Sequence, residues 1–122
     1  MFDKITIKNK EKMWKFITGF QTSNKEFEIR FMLVMMINYY LENKYIHKVF
    51  DILDNIKCDF YYVDMAMSWL LATSLVNNEK DTLEYLKNNN LSDFVVNKAI
   101  SKANESYRIS KELKGMLKKM KR

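Results

Sequence analysis

The segment YYVDMAMSWLL, residues 61–71 of this 122-residue chain, has a counterpart on each side. FEIRFMLV (Phe27–Val34) lies 34 residues before YYVDMAMS (Tyr61–Ser68), and FVVNKAIS (Phe94–Ser101) lies 33 residues after it. In each copy a β-branched residue lies two positions after an aromatic one. A polar residue comes next, and another apolar residue lies four positions after the β-branched one. A repeat of this length indicates stacked helical units that share one continuous core.

The composition favours an almost entirely helical chain. There is no proline and there are only two glycines, so the usual residues that interrupt helices and form strand turns are missing. We predict an all-α fold of HEAT-like helical repeats, an α-solenoid of about seven helices in antiparallel pairs, as a single domain over residues 1–122. Tetratricopeptide and ankyrin repeats have similar periods, but their proline- and glycine-containing signatures are absent.

Apolar spacing and capping residues locate the individual helices. We predict them at about 9–19, 24–43, 44–57, 60–77, from 78 to the asparagine run, 92–106 and 110–121. Asp59 is expected to cap the fourth helix, Ser92 or Asp93 the sixth, and Ser110 the seventh. Asn88–Asn90 is expected to turn the chain, because asparagine tolerates the left-handed conformation.

Three apolar patterns are expected to be buried. The first helix carries a stripe at spacings of three and four, formed by Met13, Phe16, Ile17 and Phe20. The last helix carries a second stripe, formed by Leu113, Met116, Leu117 and Met120. We expect this helix to close the end of the repeat stack rather than lie on a membrane surface. The nine methionines are interpreted as core filler.

Charge is concentrated at one end of the chain. The last twelve residues contain six of the 21 basic and one of the 15 acidic side chains, a local charge of +5 that leaves +1 for the rest. Such an end can attract nucleic acid or an acidic membrane surface, or it can be a solvated tail that improves solubility. The longest apolar run, Phe31–Ile37, is far shorter than the roughly 20 residues that span a bilayer. We expect a soluble cytoplasmic protein.

The common signatures of enzymes are absent. The sequence contains no phosphate-binding glycine loop, no dinucleotide fingerprint and no HExxH motif. The single Cys58 excludes an intramolecular disulfide framework and a cysteine-cluster zinc site. His47 is interpreted as a surface or partly buried histidine without a chemical role. We expect no metal and no cofactor.

Two side chains interrupt the repeat, and each has two interpretations. Trp69 lies about half a turn around its helix from Met67 and Leu71. It can be a core residue, or it can face an inner surface and stack on a sugar, a base or a cationic lesion. Arg30 can form an ion pair with Glu26 or another acid, or it can contact a phosphate.

The chain resembles the C-terminal half of the AlkD-like DNA alkylation repair enzymes, which are HEAT-like-repeat DNA glycosylases. Three stretches carry the resemblance: EIRFMLVMMINYYL (Glu28–Leu41), YYVDMAMSWLLATSLV (Tyr61–Val76) and LSDFVVNKAISKANESYRIS (Leu91–Ser110). They are in the same order and at the same spacing as in that family. The resemblance implies base-excision DNA repair, in which cationic N-alkylated purines such as 3-methyladenine and 7-methylguanine are removed from duplex DNA on the concave face.

Residue roles follow from the resemblance only at two positions. Arg30 occupies the position of a DNA-contacting arginine, and Trp69 that of an active-site tryptophan, both in positioning roles. Lys98, Lys102 and Arg108 are added as candidate DNA contacts because they are basic residues of the final repeat.

The catalytic carboxylate of the family has no equivalent here. It is an Asp that follows another Trp, in a segment that would lie just upstream of Met1, and Trp14 is not followed by an Asp at that spacing. Such a carboxylate stabilises the oxocarbenium character that develops on the sugar. We therefore expect a truncated glycosylase-like protein that binds duplex DNA containing alkylated purines and excises little or nothing by itself.

Two other functions are open. The repeat can be a protein-interaction module whose concave surface holds a peptide or a partner helix. The chain can also be an inactive remnant whose first repeat exposes an apolar face around Met13, Phe16 and Phe20. Such a face would lead to self-association.

Overall fold

The computed structural model describes residues 7–57 and 59–122, and this part of the chain is all-helical, with no strand. Cys58 lies outside the described residues. The seven α-helices are α1 (Ile7–Thr18), α2 (Glu26–Tyr39), α3 (Ile46–Asn55), α4 (Tyr61–Asn77), α5 (Glu79–Lys87), α6 (Asp93–Asn104) and α7 (Lys111–Lys119). A short 3₁₀ helix, Gly19–Thr22, follows α1. The all-α class and the number of helices predicted from the sequence are confirmed.

The apolar positions of the sequence repeat form the core. Both the β-branched position and the apolar position four residues later are buried in all three copies: Ile29, Val63 and Val96, then Leu33, Met67 and Ile100. Helices α2, α4 and α6 carry these copies, and α4 packs against both of the others. The repeat therefore sets which face of each helix is buried.

Hydroxyl groups connect α4 to its neighbours inside the core. Ser68 is fully buried, and its Oγ lies 3.1 Å from the backbone oxygen of Val95 on α6. The Oγ atoms of Ser74 on α4 and Thr82 on α5 are 2.6 Å apart, and both residues are fully buried. Because these buried hydroxyls have partners, they avoid the cost of desolvated, unpaired polar groups.

The predicted stripe of α1 is only partly correct. Ile17 is fully buried, but Phe16 is 64% exposed, and Met13 and Phe20 are only partly buried. Adjacent helical residues point about 100° apart, so Phe16 and Ile17 cannot both face α2.

An aromatic cluster attaches α1 to the end of α2. The ring of Trp14 lies 4.9 Å from that of Tyr40 and 5.0 Å from that of Tyr45. The hydroxyl of the fully buried Tyr40 donates a 2.6 Å hydrogen bond to the carbonyl oxygen of Lys10. Burial raises the pKa of Tyr40 to about 12, because the charged phenolate is poorly solvated there.

Two of the predicted helix caps are confirmed and one is wrong. Ser92 and Ser110 each accept a hydrogen bond on Oγ from the backbone N–H three residues later, at 3.2 and 3.1 Å. Asp59 does not cap α4, because the helix begins at Tyr61 and its N-cap position is Phe60, which has no side-chain cap. The predicted helix boundaries differ from the observed ones by up to four residues, as at the end of α2.

The turn at Asn88–Asn90 forms without left-handed backbone, contrary to the expectation. No residue in the described part of the chain has a positive φ, and Asn88 has φ −148°. Instead the amide group of Asn89 donates to the carbonyls of Tyr85 and Leu86 at 3.2 and 3.0 Å. The side chain thus satisfies carbonyls that the end of α5 leaves free.

Helix α7 packs its apolar side against the rest of the protein. Leu113 and Leu117 are buried, whereas Met116 is 48% exposed. Arg122, just after this helix, contacts the start of α6. Its guanidinium donates to the carbonyl of Leu91 at 2.7 Å and forms an ion pair with Asp93 at 3.3 Å. In the described part of the chain, none of the helices has both the length and the apolar character needed to cross a membrane.

Candidate functional site

Trp69 is a surface residue. Its side chain is 44% exposed, whereas the next two residues of α4, Leu70 and Leu71, are fully buried. The alternative in which Trp69 is a core residue is therefore wrong. The indole projects from the solvent-facing side of α4, where a large aromatic ring is available to a ligand.

A groove of about 320 Å³ lies beside Trp69. Besides Trp69, its lining comprises three residues of α4 and five from the end of α6 and the turn after it: Ala72, Thr73, Val76, Lys102, Ala103, Glu105, Ser106 and Arg108. We call this the Trp69 groove. Two of the predicted DNA contacts, Lys102 and Arg108, therefore lie in the same groove as Trp69.

The local sequence explains why a groove forms at this point. Trp69, Thr73 and Val76 follow one another at spacings of four and three, so they share one side of α4. Ala72 and Ala103 also line the groove, and their single methyl groups leave space between α4 and α6.

The Trp69 groove contains three charged side chains. Among the described residues, Lys102, Arg108 and Glu105 form no salt bridge. Two cations and one carboxylate thus face the same space as the indole. The sequence does not distinguish Glu105 as a site residue, because a glutamate at the end of a polar helix segment indicates only solvent exposure.

Arg30 and Lys98 do not line the Trp69 groove. Arg30 is exposed on α2 and forms no ion pair with any described residue. The alternative in which it pairs with Glu26 is therefore wrong, and Glu26 instead accepts a hydrogen bond from the backbone N–H of Tyr62 at 2.9 Å. Lys98 is exposed on α6, one helical turn before Lys102.

A second groove, of about 470 Å³, lies between α3 and α5 and has the opposite charge. His47 lies at its edge and is exposed, as predicted. The acidic lining residues are Asp51, Asp54, Asp81 and Glu84. A carboxylate-rich surface repels phosphate groups, so this groove does not suit a nucleic acid.

Two aromatic residues form the floor of this acidic groove. The rings of Phe50 and Tyr85 stack at 4.2 Å, and the hydroxyl of Tyr85 donates to Asp54 at 2.7 Å. Burial, together with the neighbouring carboxylate of Asp54, raises the pKa of Tyr85. The described residues include no group of three or more His, Cys, Asp or Glu side chains arranged to hold a metal ion.

Comparisons with known proteins identify no relative. No protein-family model matches the chain, and no curated protein or solved structure shows significant similarity to it.

Proposed function

We propose that this chain is a HEAT-like helical-repeat protein of DNA alkylation repair that holds duplex DNA containing a cationic alkylated purine at the Trp69 groove. The proposal rests on the resemblance of the three repeat-bearing stretches to AlkD-like enzymes. It is also supported by the observation that Trp69, Lys102 and Arg108 line one groove.

Contacts between helix ends support a solenoid of antiparallel pairs. Tyr40, just after α2, bonds to Lys10, near the start of α1. Arg122, just after α7, pairs with Asp93 at the start of α6. Each contact joins the end of one helix to the beginning of its partner, as an antiparallel pair requires.

The side chains of the Trp69 groove suit the two charges of a damaged nucleotide. The indole can stack on an alkylated purine, whose positive charge is attracted by the face of the ring. The carboxylate of Glu105 favours the same positive charge. Lys102 and Arg108 suit the flanking phosphates, and the exposed Arg30 and Lys98 suit phosphates further along the duplex.

Binding with little excision is the activity we propose for this chain alone. Excision of a cationic purine needs a carboxylate held against the developing charge on the sugar. The Trp-then-Asp segment that supplies it in the family is not present in this sequence. Glu105 is exposed at the C-cap of α6, so it is less firmly held than a preorganised catalytic group.

A binding titration tests the proposal. Fluorescence anisotropy would compare a labelled duplex containing one 7-methylguanine with the same duplex containing guanine. We expect the methylated duplex to bind more tightly, and both affinities to fall steeply with salt, with a slope near −0.9 for each neutralised phosphate. Trp69→Ala should remove the preference for the lesion, because it removes the aromatic face.

A matched pair of variants separates phosphate contacts from general charge. Lys102→Gln should lower affinity for both duplexes and make the salt slope shallower by about one. Lys80→Gln, at an exposed lysine of α5 that does not line the groove, should leave the affinities and the salt slope unchanged. Equal effects of the two variants, or no DNA binding by the wild type, would contradict the proposal.

A protein-interaction module is the second candidate. Phe27, Tyr61 and Phe94 occupy equivalent positions in the three copies of the repeat, and they are 70%, 57% and 46% exposed. Exposed aromatic side chains are typical of protein interfaces. If the chain is such a module, it should show no salt-sensitive binding of DNA.

A further inference from the structure

Exposed aromatic side chains are gathered near the starts of α2, α4 and α6 and on α1. We call them the aromatic belt: Phe16, Phe27, Phe31, Tyr61, Tyr62 and Phe94, each between 38% and 70% exposed. The sequence repeat shows the aromatic position but not its exposure.

The α1–α2 part of the belt is continuous. The ring of Phe16 packs edge-on against Phe20 at 5.4 Å, and Phe20 against Phe31 at 6.1 Å. Phe27 and Phe31 are four residues apart on α2, so they are neighbours on one helical face.

The α4–α6 part is also continuous. The ring of Tyr61 lies 5.3 Å from that of Tyr62 and 6.3 Å from that of Phe94. The two parts meet where α2 and α4 begin, because the backbone N–H of Tyr62 donates to Glu26 at 2.9 Å, next to Phe27. The belt therefore crosses four helices.

The area of the belt is that of an interface core. With about 200 Å² for a fully exposed aromatic side chain, the exposed fractions amount to about 650 Å². The largest apolar patch on a typical monomer covers about 300–600 Å². A standard interface buries about 800 Å² on each partner, and about 500 Å² of this is non-polar. The belt alone supplies that non-polar part.

The area of the belt favours a second copy as the occupant. Two identical belts of about 650 Å² would cover each other's non-polar surface and together bury the area of a standard interface. Charges of both signs lie beside the belt, since Arg122 pairs with Asp93 at 3.3 Å next to Phe94, so two copies can meet there without strong electrostatic repulsion. We propose that two copies of this chain pair through the aromatic belt, with the same surface contributed by each copy about a two-fold axis.

Sedimentation equilibrium of the full chain at about 1–100 μM tests the proposal, with ~1 M NaCl as a second condition. The wild type is expected at twice its 14.7 kDa mass at the upper concentration. The paired substitution Phe27→Ser with Tyr62→Ser should weaken dimerisation at least about 100-fold, because central aromatic side chains dominate interface energies. Both side chains are more than half exposed, so the variant should keep the circular dichroism spectrum of the wild type.

Tyr107→Ser provides the matched control, since Tyr107 is 95% exposed and lies outside the belt. It should leave the dimer unchanged. Persistence of the dimer in high salt would support an apolar interface, whereas its loss would indicate bridging by nucleic acid and overturn the proposal. A monomeric wild type at 100 μM, a monomer that binds an apolar peptide instead, or equal effects of the belt and control variants would also overturn it.

Discussion

Tyr40→Phe tests how α1 is held to the rest of the chain. The substitution keeps the buried ring between Trp14 and Tyr45 and removes only the hydroxyl. That hydroxyl donates the 2.6 Å hydrogen bond to the backbone carbonyl of Lys10. The carbonyl would then be left without this donor in a partly buried position.

The expected loss in the free energy of unfolding follows from this one hydrogen bond. Removing the donor from this partly buried acceptor costs about 1.5 kcal/mol. For a chain of 122 residues, this lowers the melting temperature by about 6 °C. Denaturation followed by circular dichroism at pH 7 would measure both quantities.

Alkaline pH should reduce the contribution of Tyr40 to the stability of the fold. Burial holds the pKa of Tyr40 at about 12 in the folded chain, against about 10 in the unfolded chain. Below pH 10 both states keep the proton, and the contribution of Tyr40 to stability is constant. Between pH 10 and 12 the unfolded chain ionises first, so the stabilisation is progressively lost. The phenylalanine variant lacks this titration, so its deficit should shrink by about 1 kcal/mol by pH 11.

Tyr107→Phe is the control, because Tyr107 is 95% exposed. It should change stability by less than about 0.5 kcal/mol at pH 7. If Tyr40→Phe behaves like this control at pH 7, or if its stability deficit stays constant up to pH 11, then the Tyr40 hydroxyl does not hold α1 as described.

Three further outcomes can be measured by the same denaturation assay. Ser110→Ala should lower the free energy of unfolding by about 1 kcal/mol, because it removes the N-cap of α7. Asp59→Ala, at a position that does not cap α4, should lower it by less than about 0.5 kcal/mol. Equal losses would contradict the assignment of the caps. Met32→Ala should cost about 2–5 kcal/mol because its side chain is fully buried, against under about 0.5 kcal/mol for the half-exposed Met116→Ala; a small loss at Met32 would mean that the core is not packed as described. Ser74→Ala should cost about 1–3 kcal/mol, because it leaves a buried hydroxyl of α5 without its partner at 2.6 Å; a neutral result would show that this hydroxyl pair does not contribute to stability.

Much of the fold could be predicted because the decisive signals are local. Ser92 and Ser110 cap their helices through their own hydroxyls, a contact that spans three residues. The exposure of Phe16 could not be predicted in this way, because its spacing fits the stripe as well as that of Ile17 does. Only the position of α2 decides which of the two is buried. The turn at Asn89 is held by hydrogen bonds of its side chain. Asparagine favours such bonds as well as a left-handed backbone, so composition alone does not decide between the two kinds of turn.

At the candidate site, too, only the features that depend on local helical geometry could be predicted. The angle of Trp69 around α4 follows from helical geometry, so its position away from the main apolar stripe could be read from the sequence. That Lys102 and Arg108 share its groove, while Arg30 and Lys98 do not, depends on how α4 and α6 are placed. Glu105 enters the groove for the same tertiary reason.

The central position of α4 has a consequence for how the molecule unfolds. Helix α4 packs against α2 on one side and α6 on the other, and it has buried hydroxyl contacts to α5 and α6. Loss of either end of the molecule would therefore remove half of the support of α4. We expect the backbone amides of α4 to exchange with deuterium most slowly, and only through global unfolding. Because α2 and α6 both pack against α4, the described helices should lose their structure in a single cooperative transition rather than one after another.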